Sequence, residues 1–63
     1  MQPHQERVVT EANDLRQKLT KLTEFIGGDT FKALDVIDRD LLVSQRVLMQ
    51  GYLDVLGSRI KRF

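Results

Sequence analysis

The stretch "TEFIGGDTFKALDVIDRD", residues 23–40, is where one long helical pattern stops and another begins. Gly27-Gly28 ends the first, because glycine accepts the left-handed conformation used at helix C-termini. Asp29 or Thr30 can cap a short helix over "FKALDVI", residues 31–37, with Phe31, Leu34 and Ile37 turned inward. Asp38 suits the N-cap of a last helix running to about Lys61. The expected architecture is all-α: a long helix, a Gly-Gly turn, a short linker helix and a second long helix, folded as an antiparallel hairpin.

Upstream of the turn, Pro3 suits a first helical turn, since its missing N–H would be unpaired there anyway. From about residue 4 to residue 26 nothing breaks a helix. The apolar positions Val8, Ala12, Leu15, Leu19, Leu22 and Ile26 recur every three or four residues, the spacing of a packing seam. Downstream, Leu41, Leu42, Leu48, Met49, Tyr52, Leu53, Val55, Leu56 and Ile60 spread over about 160° of the last helix at 100° per residue. That arc is wider than one partner helix needs, and Val43 and Val47 fall outside it. Gly51 and Gly57 lie inside this helix, where each costs about 1 kcal/mol relative to alanine. They read either as tolerated weakness or as close approach of a neighbouring backbone or ligand.

A chain of 63 residues is read as one domain, and one too small to bury much surface. It has no cysteine and one histidine, which leaves disulfides and thiolate metal sites out and makes a metal centre an unsuitable support. Oligomerisation remains, and the wide apolar arc points the same way. Ten basic and nine acidic residues give a formal charge of +1, not the basic excess of a general DNA coater. There is no apolar run of membrane-spanning length and no apolar signal-peptide core. The expectation is therefore no membrane partner and no DNA partner, and the absence of cysteine fits a reducing cytoplasm.

Beside the apolar seam of the first helix runs a charged column: His4, Arg7, Glu11, Asp14, Lys18 and Lys21. Glu11 and Asp14 can pair with Lys18 along the helix, which would make the column an ordinary solvated face. No catalytic set emerges, because the lone histidine has no serine or cysteine nucleophile to serve. "IGGDT" is a weak match to a phosphate-cradling turn, and a helix–helix turn explains it. No enzyme activity and no cofactor are expected.

The order of residues says more. His4, Arg7-Val8, Glu11, Leu15, Lys18-Leu19, Phe25-Ile26, Leu41-Leu42, Gln45, Met49, Tyr52, Leu56 and Arg59-Ile60 resemble the frame of the small anti-CBASS cyclic-nucleotide sponges of tailed phages. The resemblance covers nearly the whole chain. It implies a non-enzymatic helical protein, assembled as a hexamer in the infected bacterial cytoplasm. It further implies that the protein sequesters cyclic di- and trinucleotide signals of bacterial immunity. On this resemblance the dinucleotide pocket lies between protomers and involves His4, Arg7 and Lys18, with Lys21 as the alternative phosphate lysine. His4 would stack on a base and Lys18 would meet a phosphate. Thr20 and Arg59 match the polar pair of a separate trinucleotide pocket. For Arg59 the residues themselves leave open a plainer role, complementing the dipole at a helix C-terminus.

Two other classes remain open. A structural interaction module would show the same apolar seams without a nucleotide ligand. A small nucleic-acid-binding regulator would use "SRIKR", residues 58–62, on phosphates.

Overall fold

The computed structural model describes residues 1–63 as three helices: α1 (Pro3–Ile26), α2 (Asp29–Lys32) and α3 (Val36–Ile60). The two long helices pack against each other, antiparallel, and there are no strands. The expected all-α hairpin is the fold. Pro3 occupies the first helical position, and the Gln5 side-chain Oε1 accepts the backbone N–H of Gln2 at 2.9 Å. That contact satisfies a donor just outside the helix, where the helix itself offers no partner.

The turn is built differently from the sequence expectation. Neither glycine is left-handed: Gly27 has φ −78° and ψ −4°, and Gly28 has φ −98° and ψ 174°. The chain passes from helical to extended in one step, with Gly27 N–H donating to the Thr23 carbonyl and Gly28 N–H to that of Phe25. Gly28, not Asp29 or Thr30, then occupies the N-cap of α2. That helix covers 29–32 rather than 31–37. The cap of α3 is Asp35 rather than Asp38: Asp35 Oδ2 accepts the Ile37 N–H at 3.3 Å. Asp35 has φ −57° and ψ 148°, outside the helical region, as an N-cap requires, and the helix begins at Val36. Asp38 keeps a favourable place in the first turn, where a negative charge meets the positive end of the helix dipole. Ile37 is accordingly exposed, not inward, while Phe31 and Leu34 are half-buried. Phe31 meets Phe25 edge-on, with ring centres 6.5 Å apart, and this pair closes the tip of the hairpin.

The core sits at the opposite end. Val8, Ala12 and Leu56 are buried together, with Leu15, Leu53 and Ile60 packed against them. Leu19 is buried further along the same seam. The broad apolar arc of α3 divides. Leu42, Met49, Leu53, Leu56 and Ile60 turn toward α1 and are at least half-buried, whereas Leu41, Leu48, Tyr52 and Val55 stay exposed on the other edge. The molecule is a rod of 46 × 14 × 13 Å. Its accessible surface is 4871 Å², against about 4,200 Å² for a compact chain of this mass. The elongated shape accounts for an excess of this kind, and α3 carries most of the exposed large apolar side chains.

Candidate functional site

One flank of the α1–α3 seam forms a shallow open groove of about 490 Å³, lined by Arg7, Thr10, Glu11, Asp14, Leu15, Lys18 and Tyr52. Helix α1 places Arg7, Glu11, Asp14 and Lys18 there because residues three and four apart share a face. Helix α3 contributes the tyrosine ring. The Tyr52 hydroxyl donates to Glu11 Oε2, a side-chain bond that ties the two long helices together across 41 positions of sequence. That bond is the first cause of a raised Tyr52 pKa, followed by partial desolvation and the negative charge of Glu11; Arg59 acts in the opposite sense.

The expected pairing of Glu11 and Asp14 with Lys18 does not form. The ion pair present is Lys32 with Asp29, at 3.8 Å on the exposed α2. Glu11 is drawn instead to Tyr52, so both Arg7 and Lys18 face the groove without a carboxylate partner.

The other candidates are dispersed. His4 is exposed in the first turn of α1, on the same column as Arg7 but outside the groove lining. Lys21 lines a different depression, with Arg16, Gln17, Thr20 and Glu24. Thr20 lies on the far flank of α1, level with Gln50 and Leu53, and its hydroxyl donates to the Arg16 carbonyl at 3.0 Å. Arg59 is exposed in the last turn of α3, two turns beyond Tyr52 on its face. From Leu53 to Arg59 is about 9 Å along the helix axis at 1.5 Å per residue. Thr20 and Arg59 thus do not share a pocket within one protomer. Thr10, Glu11, Asp14, Leu15 and Tyr52 are the lining residues that sequence reasoning did not assign to a site. The signal available was the i, i+4, i+7 column through Arg7, Glu11, Asp14 and Lys18, but its partner on α3 depends on the rotation of the two helices. No three histidine, cysteine or acidic side chains come together as a metal-binding group. No helix is long and apolar enough to cross a membrane.

Comparisons with known proteins agree with the sequence pattern. The family model described as Sequestin matches residues 2–62. A relative from Enterobacteria phage T4, described as an uncharacterized 7.5 kDa protein in the denB-rIIB intergenic region, is 32% identical over 63 residues, spanning 100% of this chain and 98% of the relative. No solved structure matches. With nearly every residue inside the family model and a phage relative aligned end to end, the chain belongs to the Sequestin family of phage sponge proteins.

Proposed function

We propose that the protein binds cyclic oligonucleotide second messengers without altering them and so withholds them from the effectors of CBASS immunity in the infected bacterial cytoplasm. The observation that carries this reading is the groove in which Arg7 and Lys18 lie unpaired beside an aromatic ring. A cyclic dinucleotide asks for those groups: cations for its phosphates and flat surfaces for its bases. The groove volume falls within the range of small-molecule sites. Membership of a sponge family supports the same reading.

In this reading Lys18 and Arg7 hold phosphate oxygens, and His4, at the end of the column, stacks on a base from the rim or from a neighbouring protomer. Lys21 stands as the alternative phosphate lysine. Thr20 and Arg59 serve a cyclic trinucleotide pocket that only a homo-oligomer, a hexamer by family resemblance, can complete, because the two residues occupy different flanks and levels of one hairpin. The exposed edge of α3 supplies the apolar surface for such an assembly.

A thermal-shift panel of cyclic di- and trinucleotides tests the reading, since a ligand bound only by the folded state raises the midpoint by mass action. Dose-dependent upward shifts with cyclic nucleotides, and none with linear dinucleotides, are expected. A flat panel would leave a helical interaction module. Salt-sensitive binding of DNA or RNA would favour a nucleic-acid regulator instead.

A further inference from the structure

Two carboxylates stand where a plain phosphate site would have none. Glu11 and Asp14 share the groove with Arg7 and Lys18, so the formal charge of the lining is zero. A dianionic ligand draws no net attraction from such a surface, and each carboxylate repels a phosphate placed beside it. Their presence demands a part of the ligand that carries hydrogen-bond donors. Riboses offer hydroxyls, but only the bases differ in donor pattern between ligands.

Resting on the dinucleotide reading above, we infer that Glu11 is a specificity residue that selects guanine over adenine, and that Tyr52 is the residue that positions it. Guanine presents two adjacent donors on its Watson–Crick edge, N1–H and the N2 amino group. A carboxylate accepts from both at once. Adenine presents one donor, at N6, and next to it the N1 lone pair, which a carboxylate repels. Glu11 is already oriented: Oε2 accepts the Tyr52 hydroxyl, and Oε1 makes no hydrogen bond within the chain. An ionised carboxyl has about four acceptor sites, so the tyrosine bond leaves capacity on both oxygens. The anchoring also lowers the rotamer freedom that an exposed glutamate would otherwise lose on binding a base. Asp14, one turn along α1, has no such anchor.

The experiment is calorimetric titration of the intact assembly with cyclic di-GMP and cyclic di-AMP, for the wild type, E11Q and Y52F, each checked for helicity and assembly mass. The wild type should prefer cyclic di-GMP. E11Q should lose about tenfold or more in affinity for cyclic di-GMP, because its amide nitrogen would face a guanine donor. The same amide complements the adenine edge, so cyclic di-AMP binding should hold or improve. Y52F should narrow the preference without abolishing binding, as a freed Glu11 samples other rotamers. Loss of affinity for both ligands in equal proportion, or no change in E11Q, would overturn the guanine assignment while leaving the dinucleotide reading intact. A wild type that binds neither ligand would overturn both. If Y52F keeps the full preference, Tyr52 is only a tie between helices and the positioning role is wrong.

Discussion

The two long helices are nearly equal in length and opposite in what they leave outside. Helix α1 buries Val8, Ala12 and Leu19 along one narrow stripe and exposes little apolar surface beyond Phe25. Helix α3 buries only Leu56 completely and exposes Val36, Ile37, Leu41, Val43, Val47, Leu48, Tyr52 and Val55. A helix with one apolar partner needs one stripe. Helix α1 has that, and its remaining surface is free to carry charge. Helix α3 has one apolar band facing α1 and further apolar surface facing nothing in the protomer. The difference accords with the division of tasks proposed above, in which α1 presents polar groups to a ligand and α3 a surface for assembly.

The sharpest way to break this division is to compare two leucines of α3. Leu56 has 0% exposure and Leu48 has 74%. Leu56→Ala should cost about 2–5 kcal/mol of stability, measured by chemical denaturation, because a cavity opens in a core too small to collapse around it. Leu48→Asp should keep the helical circular dichroism signal but lower the mass seen by light scattering, since a charge would be buried only in the assembly. If the mass is unchanged, the outer band of α3 is not the assembly surface.

Next in size is the polar side of α1. Lys18→Ala should weaken cyclic dinucleotide binding by about 1.5–3 kcal/mol in calorimetry, the value of a charge-assisted hydrogen bond. Assembly mass should not change, because Lys18 makes no ion pair in the fold. Unaltered affinity would remove Lys18 from the site.

A smaller effect distinguishes packed from open positions on α3. A Cβ added at Gly51 would meet nothing within 4 Å. Gly51→Ala should therefore raise stability by about 0.5–1 kcal/mol in a thermal melt, the ordinary helix-propensity difference. A loss instead would mean that a neighbouring protomer approaches closely there.

The smallest expected signal is the tyrosine titration. The bond to Glu11 favours the neutral phenol, so ultraviolet absorbance should show Tyr52 ionising above the usual value near 10. For an acid whose folded pKa is raised, the stabilisation is complete below the unfolded pKa and fades as pH rises through the folded one. The tie between helices is thus intact at neutral pH and lost in alkali. A midpoint at or below 10 would show that the bond does not persist in solution.

The fold was legible because period and punctuation agree: the three-four spacing of Val8 to Ile26 and the Gly27-Gly28 break leave few alternatives. The boundaries of the short helix were not. Asp29, Thr30, Asp35 and Asp38 are all acceptable caps in isolation, and the choice falls to how the linker reaches α3. The charged column was legible as one face, but which of its members meet in a groove was not. Lys21 belongs to the same column by spacing yet faces another depression, while Tyr52 enters from 41 residues away. Sequence periodicity fixes angles about a helix axis. It does not fix the rotation of one helix against another, and that rotation brings Glu11 to Tyr52.

The core of Val8, Ala12 and Leu56 lies at the end of the rod remote from the turn, and this shapes the order in which the chain can fold. Phe25 and Phe31 are six positions apart and meet cheaply at the tip. Joining Ala12 to Leu56 closes a span of 44 positions, which costs about 1.8 kcal/mol more in chain entropy than closing six. The contacts that form most readily release little free energy, and those that release most come last. A half-zipped hairpin has little to hold it, so the two helices should pair in one cooperative event.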